Sequence, residues 1–292
     1  MESVKVRVPA TTANLACGFD TLGCALSLYN TLSFTLSDKL SFTGCDEEFQ
    51  TEDNLAWQGF RAVYDAMSQP APWVHIDIEA DIPVCRGLGS SAAMLCAGAA
   101  AANALGGFGL TKARLLAIVT PIEGHPDNLA PALFGGLVAS FLQDGEVYYN
   151  DIPVHESLHF CVLSPDYILS THEARAALPK ELPFKDAVFN LSRLALLPKA
   201  MAEADEKLLS LCLSDKLHQP YRRPLIHGMD EVQAAAAKLG CHAFAVSGAG
   251  PSLLCLTADE TLPSKLRAAV AALPHNWHLR DLRVDARGTV LL

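Results

Sequence analysis

The sequence predicts an α+β fold of two closely packed domains, and three observations carry that expectation. Short alternating runs that read as antiparallel strands stand apart from the helical stretches and do not alternate with them one by one. No internal repeat, low-complexity tract or long linker interrupts the 292 residues. Half of the residues are hydrophobic and 18% are charged, a balance that suits buried cores and excludes a disordered chain. The length exceeds what one ordinary core holds.

The elements follow in order. Val4, Val6 and Val8 alternate with Lys5 and Arg7, which predicts an opening strand. Residues 26–36 form a second β-like run. Leu55, Phe60, Val63, Tyr64 and Met67 have helical spacing over 54–67, with Asp53 as the expected cap. Residues 74–78 alternate again. A glycine-rich turn at 86–89 then feeds an alanine-rich helix that opens at Ser90 and stops at Gly106 and Gly107. Thr111 caps the next helix, which runs through Ile122, and residues 135–142 and 146–149 form a hairpin. In the second half, 159–163 is a strand and 171–178 a short helix. Residues 184–213 carry one long helical pattern punctuated only by Pro198. A helix at 229–239 precedes strands at 243–246 and 253–256 about a glycine turn. A helix at 258–273 leads to the last strand before the tail, 278–284.

The formal net charge is −10. Such a surface repels nucleic acid and anionic membranes, so neither is an expected partner. The nine cysteines are odd in number, lack C-x-x-C spacing and sit among apolar neighbours. They read as small buried hydrophobes in a reducing compartment. The N-terminus has no apolar signal core, and the longest apolar stretch, 92–105, is too short to span a bilayer and contains Asn103. A cytoplasmic protein is expected.

The sharpest feature runs from Pro83 through Arg86, Gly87, Leu88, Gly89, Ser90 and Ser91 to Ala92 and beyond. Gly87 and Gly89 let the backbone take positive φ and approach a ligand closely. The first N–H groups of the helix that follows have no intrahelical acceptor and sit at the positive end of its dipole. That geometry binds phosphate. Composition alone leaves a simple capped helix equally open. No Lys-Ser/Thr follows the second glycine, so this is not a P-loop, and the third glycine of a dinucleotide fingerprint is missing.

Other strings carry chemistry of their own. Glu123 lies about thirty residues after the serine pair and could supply an oxygen ligand to a hard cation or simply end a helix in solvent. His125, close to Asp127 and Asn128, reads as a hydrogen-bonding anchor. Asn14 and Asp20 suit an amino acid, since a carboxylate pairs with ammonium and an amide serves a hydroxyl or carboxylate. Arg175 and the adjacent Arg222 and Arg223 offer planar forks for a carboxylate, with Arg222 taken as the inward one. The turn from Ser247 to Ser252, with Gly248, is either a tight β-connection or a ligand-facing loop.

The string 83–94 closely resembles the P-x-x-x-G-L-G-S-S-A-A signature of GHMP kinases. Residues 8–23, 123–136, 171–175 and 219–222 resemble segments of the homoserine kinase branch, and 247–252 resembles the third GHMP motif. Ala16 replaces a usual glycine, and Gln219 stands near a usual acidic position. The resemblance implies a two-domain GHMP kinase fold. It comprises an N-terminal ribosomal-protein-like α+β domain over 1–153 and a C-terminal ferredoxin-like α+β domain over 154–292. It implies ATP bound by Asn54, Pro83 and residues 86–92, with Mg2+ held by Ser91 and Glu123. It implies L-homoserine bound by Asn14, Asp20, His125, Asn128, Arg175, Arg222 and Gly248, and phosphorylated on the way to threonine. No general base is required, and Asp20 is the one candidate. A homodimer is compatible with the family. The rivals are another GHMP acceptor, or a silent metabolite sensor, which would need a damaged phosphate loop or serine–carboxylate pair.

Overall fold

The structure, a computed structural model, describes residues 2–292. Strand β1 (Ser3–Ala13) runs antiparallel to β2 (Leu22–Leu36), and their register slips between Pro9 and Ala10. Such a slip bends the ribbon, and the two ends of β2 serve different partners. Residues 30–36 pair with β4 (Val74–Ala80), whereas Leu22, Gly23 and Cys24 pair with β5 (Leu137–Gln143). The sheet is completed by β3 (Ser41–Thr43), parallel to β4, by β6 (Glu146–Ile152) on β5, and by β11 (Val290–Leu291) on β1. Alternation is plain in β1, where Val4, Val6 and Val8 enter the core.

Four helices belong to this half: α1 (Leu55–Ala66), α2 (Ser90–Leu105), α3 (Lys112–Glu123) and α4 (Leu129–Phe134). The small residues of α2 have a packing reason. A Cβ on Gly98 would lie 1.9 Å from the Ala56 carbonyl oxygen, and one on Gly59 would lie 2.3 Å from that of Leu95. Helices α1 and α2 therefore cross with their backbones nearly touching, which fixes the N-terminus of α2 against the sheet.

The second sheet, in order β10 (His278–Leu282), β7 (His159–Ser164), β9 (Leu253–Thr257), β8 (Phe244–Val246), is antiparallel throughout. Strands β7, β9 and β8 are buried on both faces, which is why they read as mostly apolar runs, whereas β10 alternates exposed and buried positions. Phe160 and Val162 join the large core shared with the first sheet, with Leu197 and Met201 of α7 (Leu197–Glu203) and Leu209 of α8 (Glu206–Cys212). Cys161 and Leu163 point the other way, to Val232 of α10 (Met229–Lys238) and Leu266 of α11 (Leu262–Val270). One continuous core thus joins the two halves. The remaining helices are α5 (Thr171–Ala176), α6 (Phe184–Leu194) and α9 (Gln219–Arg222).

The α+β expectation holds, with local corrections. Asn54, not Asp53, caps α1: its side chain accepts from the Ala56 N–H at 2.9 Å. The pattern over 184–213 is three helices. Pro198 stands in the first turn of α7, and Ala204 takes a left-handed φ of 52° before Asp205 caps α8. The strand expected at 278–284 is β10, which ends at Leu282, and the tail adds a further short strand, β11, because the chain end returns to pair with β1. Elements of two, three or four residues, such as β3, β11 and α9, are too short for periodicity to mark. Helix α4 is buried nearly all round, so it shows no polar face.

Seven of the nine cysteines are buried, Cys85 is exposed, and none forms a disulfide among the described residues. Burial pushes the Cys17 and Cys161 thiols up to about 12, as small core residues require. Among the described residues no helix is long and apolar enough to cross a membrane.

Gly98→Val should weaken the fold by about 3 kcal/mol or more, because neither backbone can retreat from the added side chain. Urea unfolding followed by circular dichroism measures this. An unchanged midpoint would mean that α1 and α2 do not cross so closely.

Candidate functional site

One cleft of about 530 Å³ gathers the loops at one end of both sheets. Every site residue expected from the sequence lines it except Pro83 and Ala92. Pro83 precedes the phosphate-type loop, and the Ala92 side chain is buried within helix packing.

Gly87 and Gly89 have φ of 69° and 68°, values that strain any side chain. Space demands glycine as well. A Cβ on Gly89 would sit 2.0 Å from Thr11 Oγ1, and one on Gly87 would sit 2.2 Å from the Ser247 carbonyl oxygen. Three segments hold the loop open. The Leu88 carbonyl accepts from the Thr11 N–H at 3.1 Å. The Ser247 hydroxyl donates to the Gly87 carbonyl at 2.6 Å. The Thr11 hydroxyl donates to Asn128 Oδ1 at 2.8 Å. In α2 the first helical bond runs from the Ala93 N–H to the Gly89 carbonyl at 2.9 Å. The N–H groups of Ser90, Ser91 and Ala92 therefore have no acceptor in the helix, a geometry that suits an anion.

Beside them, the Ser91 hydroxyl donates to Glu123 Oε1 at 2.6 Å, where α3 ends on Gly124 at φ 92°. Burial raises the Glu123 carboxyl above its ordinary range, and the Ser91 bond only partly opposes this. Arg86 reaches across to the second half. Its Nε donates to the Pro165 carbonyl at 3.1 Å and its Nη2 to the Asp166 carbonyl at 3.3 Å, while Nη1 is buried without a partner. Asn54 lines the cleft while its side chain caps α1 and donates to the Phe49 carbonyl at 2.9 Å.

At the other end, the loop from β1 to β2 holds Asn14, Leu15, Ala16 and Asp20 at φ of 69°, 41°, 59° and 52°. Asn14 Nδ2 donates to the Gly248 carbonyl at 2.8 Å, and Asn14 Oδ1 accepts from the Asp20 N–H at 3.0 Å. Asp20 is bound through both oxygens by Arg175, at 2.8 and 3.0 Å. The sequence offered these two residues to opposite ends of a ligand, and here they hold each other. That bond raises the Arg175 pKa above its ordinary value.

Arg222 is the inward arginine. It is 1% exposed and bonds to the Gly248 carbonyl at 3.0 Å, to His218 Nδ1 at 3.2 Å and to the Ala174 carbonyl at 3.4 Å. Arg223 turns outward to Asp230. Burial first, and then the nearby charge of Arg175, lower the Arg222 pKa to about 10.

His125 Nδ1 bonds to the Asp127 carboxylate, and ligand atoms of Asp20, His125 and Asp127 lie within 4.8 Å of one another. Burial opposes charge on His125, but the bond to Asp127 and its charge outweigh burial and raise the pKa. Sequence reading missed the mostly apolar end of the cleft, with Phe49, Leu55, Ile78, Val84 and Met94. It also missed Thr11 and His218. The only signal for His218 was its place four residues before Arg222, one helical turn away.

Residues 54–136 match the family described as GHMP kinases N terminal domain, and residues 191–276 match the one described as GHMP kinases C terminal. A homoserine kinase from Clostridium botulinum (strain Okra / Type B1) is 40% identical over 291 residues, covering 99% of this chain and 98% of its own. One from Picosynechococcus sp. is 41% identical over 310 residues, covering all of both chains. The crystal structure of homoserine kinase from Cytophaga hutchinsonii superposes with a TM-score of 0.89 at 28% identity, covering 100% of this chain and 98% of that one. The L. major mevalonate kinase, in complex with R-mevalonate, shares the fold at a TM-score of 0.76 and 14% identity over 97% of this chain and 96% of that one.

Asp127→Asn should lower the raised His125 pKa, because the bond and charge that outweigh burial are removed and only the charge of Glu123 is left to favour the cation. NMR titration of the imidazole C–H signals measures the change. A raised histidine pKa stabilises the wild type fully below the unfolded value near 6.5, and this is lost as pH rises through the folded value. A His125 signal that titrates alike in both proteins would remove Asp127 as its controlling partner.

Proposed function

The chain belongs to the GHMP kinases, in their homoserine kinase family, and from that premise we propose that it transfers the γ-phosphoryl group of ATP to the hydroxyl of L-homoserine. The products are ADP and O-phospho-L-homoserine, on the way to threonine. One observation carries the reading. The free N–H groups at the α2 N-terminus and the buried cation Arg222, which forms no ion pair among the described residues, open into the same cleft. The first suits a polyphosphate and the second a carboxylate.

The apolar end, with Phe49, Leu55 and Ile78, takes the base of the nucleotide. The loop 86–92 takes its phosphates on backbone N–H groups. Ser91 and Glu123 present hard oxygen donors 2.6 Å apart, a set that fits Mg2+. When bound there, the cation neutralises triphosphate charge.

Homoserine is a zwitterion, and the Asp20–Arg175 pair is its template. The ammonium replaces Arg175 on Asp20, and the carboxylate replaces Asp20 on Arg175 while also reaching Arg222. Breaking one ion pair then makes two, so the exchange is close to balanced in charge. His125 and Asn128 orient the hydroxyl toward the phosphate loop. No protein base is assigned. Asp20 is committed to charge pairing through both oxygens, and the hydroxyl proton passes to phosphoryl oxygen as the bond to phosphorus forms. Positioning and charge neutralisation supply the rate. Seven buried thiols suit a reducing compartment, and the cytoplasm is the proposed location.

Coupled ADP release with L-homoserine, L-threonine, L-serine and R-mevalonate tests the acceptor. L-homoserine should turn over fastest, and faster turnover of mevalonate would overturn the assignment. The analogues 4-hydroxybutyrate and 3-aminopropanol each lack one charge and leave half of the opened pair unmatched. Each should fall about 100-fold or more in kcat/KM.

Glu123→Gln should lower kcat by about 100-fold or more and raise the melting temperature of the ligand-free protein. Its carboxyl pKa is raised, so folding penalises the charged form, and removing the charge relieves that penalty at neutral pH. Normal turnover in this variant would take the carboxylate out of the site.

A further inference from the structure

We propose that His218 is a positioning residue that holds Arg222 in register with the 14–20 loop, and so sets the affinity for the amino-acid carboxylate. The inference rests on the homoserine reading above and concerns how one side chain tunes it.

His218 is fully buried, and each ring nitrogen has a hydrogen-bond partner, with the buried Asp215 carboxylate a further neighbour 3.6 Å from Nε2. Nε2 lies 2.9 Å from the Ala16 carbonyl oxygen, which can only accept. Nδ1 lies 3.2 Å from Arg222 Nη1, which can only donate. A single form satisfies both contacts: neutral imidazole with its hydrogen on Nε2. Protonation would remove the acceptor and set a second cation against Arg222. Burial above all lowers the His218 pKa to about 4; the Asp215 charge opposes this and Arg222 adds to it, and the net direction agrees with that form.

The two contacts join two parts of the pocket. Ala16 sits in the left-handed run that presents Asn14 and Asp20. Arg222 has no carboxylate to fix its aim, so its direction depends on His218 and two carbonyls. The Phe19 ring stacks on His218 at 5.1 Å and lies under both Arg222 and Arg175, at 5.3 and 5.8 Å. Asp215 accepts from the N–H groups of Leu217, His218 and Gln219, and so fixes the turn that carries the imidazole. The imidazole is therefore the one side chain that touches the loop and the arginine together through opposite ring nitrogens.

Two near-isosteres separate the contacts. Asparagine places an acceptor about where Nδ1 stands and loses the donor. Glutamine places a donor about where Nε2 stands and loses the acceptor. His218→Gln should raise the KM for L-homoserine on the order of tenfold to a hundredfold, the usual effect of losing a hydrogen bond to a charged group. His218→Asn keeps the contact to Arg222 but frees the Ala16 carbonyl, so it should raise the KM by a smaller factor, about threefold to tenfold. In both, the KM for ATP should stay within about twofold, and kcat should change less than the homoserine KM. An unchanged homoserine KM in His218→Gln overturns the proposal. So does an equal rise in both KM values in both variants, which would mark general damage to the fold. Calorimetric titration of the wild type with L-homoserine separates the two levels. No binding would sink the functional reading and this inference with it. Wild-type binding matched by His218→Gln would sink the inference alone.

Discussion

The Ser247 hydroxyl donates to the Gly87 carbonyl across 160 residues of chain, and much of the site depends on that contact. Gly87 belongs to the loop that opens α2, and Ser247 to the turn between β8 and β9. Joining them places the free N–H groups of the α2 N-terminus beside Gly248, whose carbonyl holds both Asn14 and Arg222. The ends of the cleft proposed for phosphate and for the amino acid are thus set by one small junction. It can be rigid because the two sheets share a core: the β7 residues Phe160 and Val162 belong to the same cluster as Val6 and Leu32. A hinge between the halves would have to expose that surface to water.

Charge in the cleft is arranged unevenly, and the unevenness has chemical meaning. The Asp20–Arg175 pair is about one-third exposed. Water screens it, so exchanging its partners for those of a zwitterion demands little net energy. Arg222 is different. A buried guanidinium without a carboxylate is costly to keep, and carbonyls and a neutral imidazole hold it only in part. An incoming carboxylate completes what the fold leaves unfinished. That is the reason to treat Arg222 as the fixed anchor and Arg175 as the exchangeable one.

What the sequence disclosed was chemistry confined to neighbouring residues. Gly87, Gly89 and the serines that follow describe a turn and a helix start by themselves, so the glycine turn and the α2 boundary were legible. Ser91 and Glu123 were legible as types, and only the packing of α3 on α2 shows that they touch. The pairing of Asp20 with Arg175 joins residues 155 apart, and no local pattern announces it. Nor could adjacency say which of Arg222 and Arg223 turns inward, since neighbours on a helix point about 100° apart. The long pattern at 184–213 misled because hydrophobic period outruns helix ends. Ala204, left-handed without being glycine, gives no sign of a stop.

Backbone strain in the 14–20 loop completes the account. Asn14, Leu15, Ala16 and Asp20 are non-glycine residues in left-handed conformation, and the cost of about 1–2 kcal/mol per residue falls mainly on Leu15 and Ala16, since Asn and Asp visit this region more readily. Four hydrogen bonds act against that cost: Asn14 to Gly248, Asp20 to Asn14, Gly248 to Ala13 and His218 to Ala16. At about 0.5–1.5 kcal/mol each, they roughly cancel it. A loop balanced in this way is held by its surroundings and not by its own preference. It presents Asp20 at a fixed place before any ligand arrives, which spares the binding step the entropy of ordering it. For a ligand as small as a four-carbon amino acid, with few contacts to offer, a pocket ordered in advance is the effective route to selective binding.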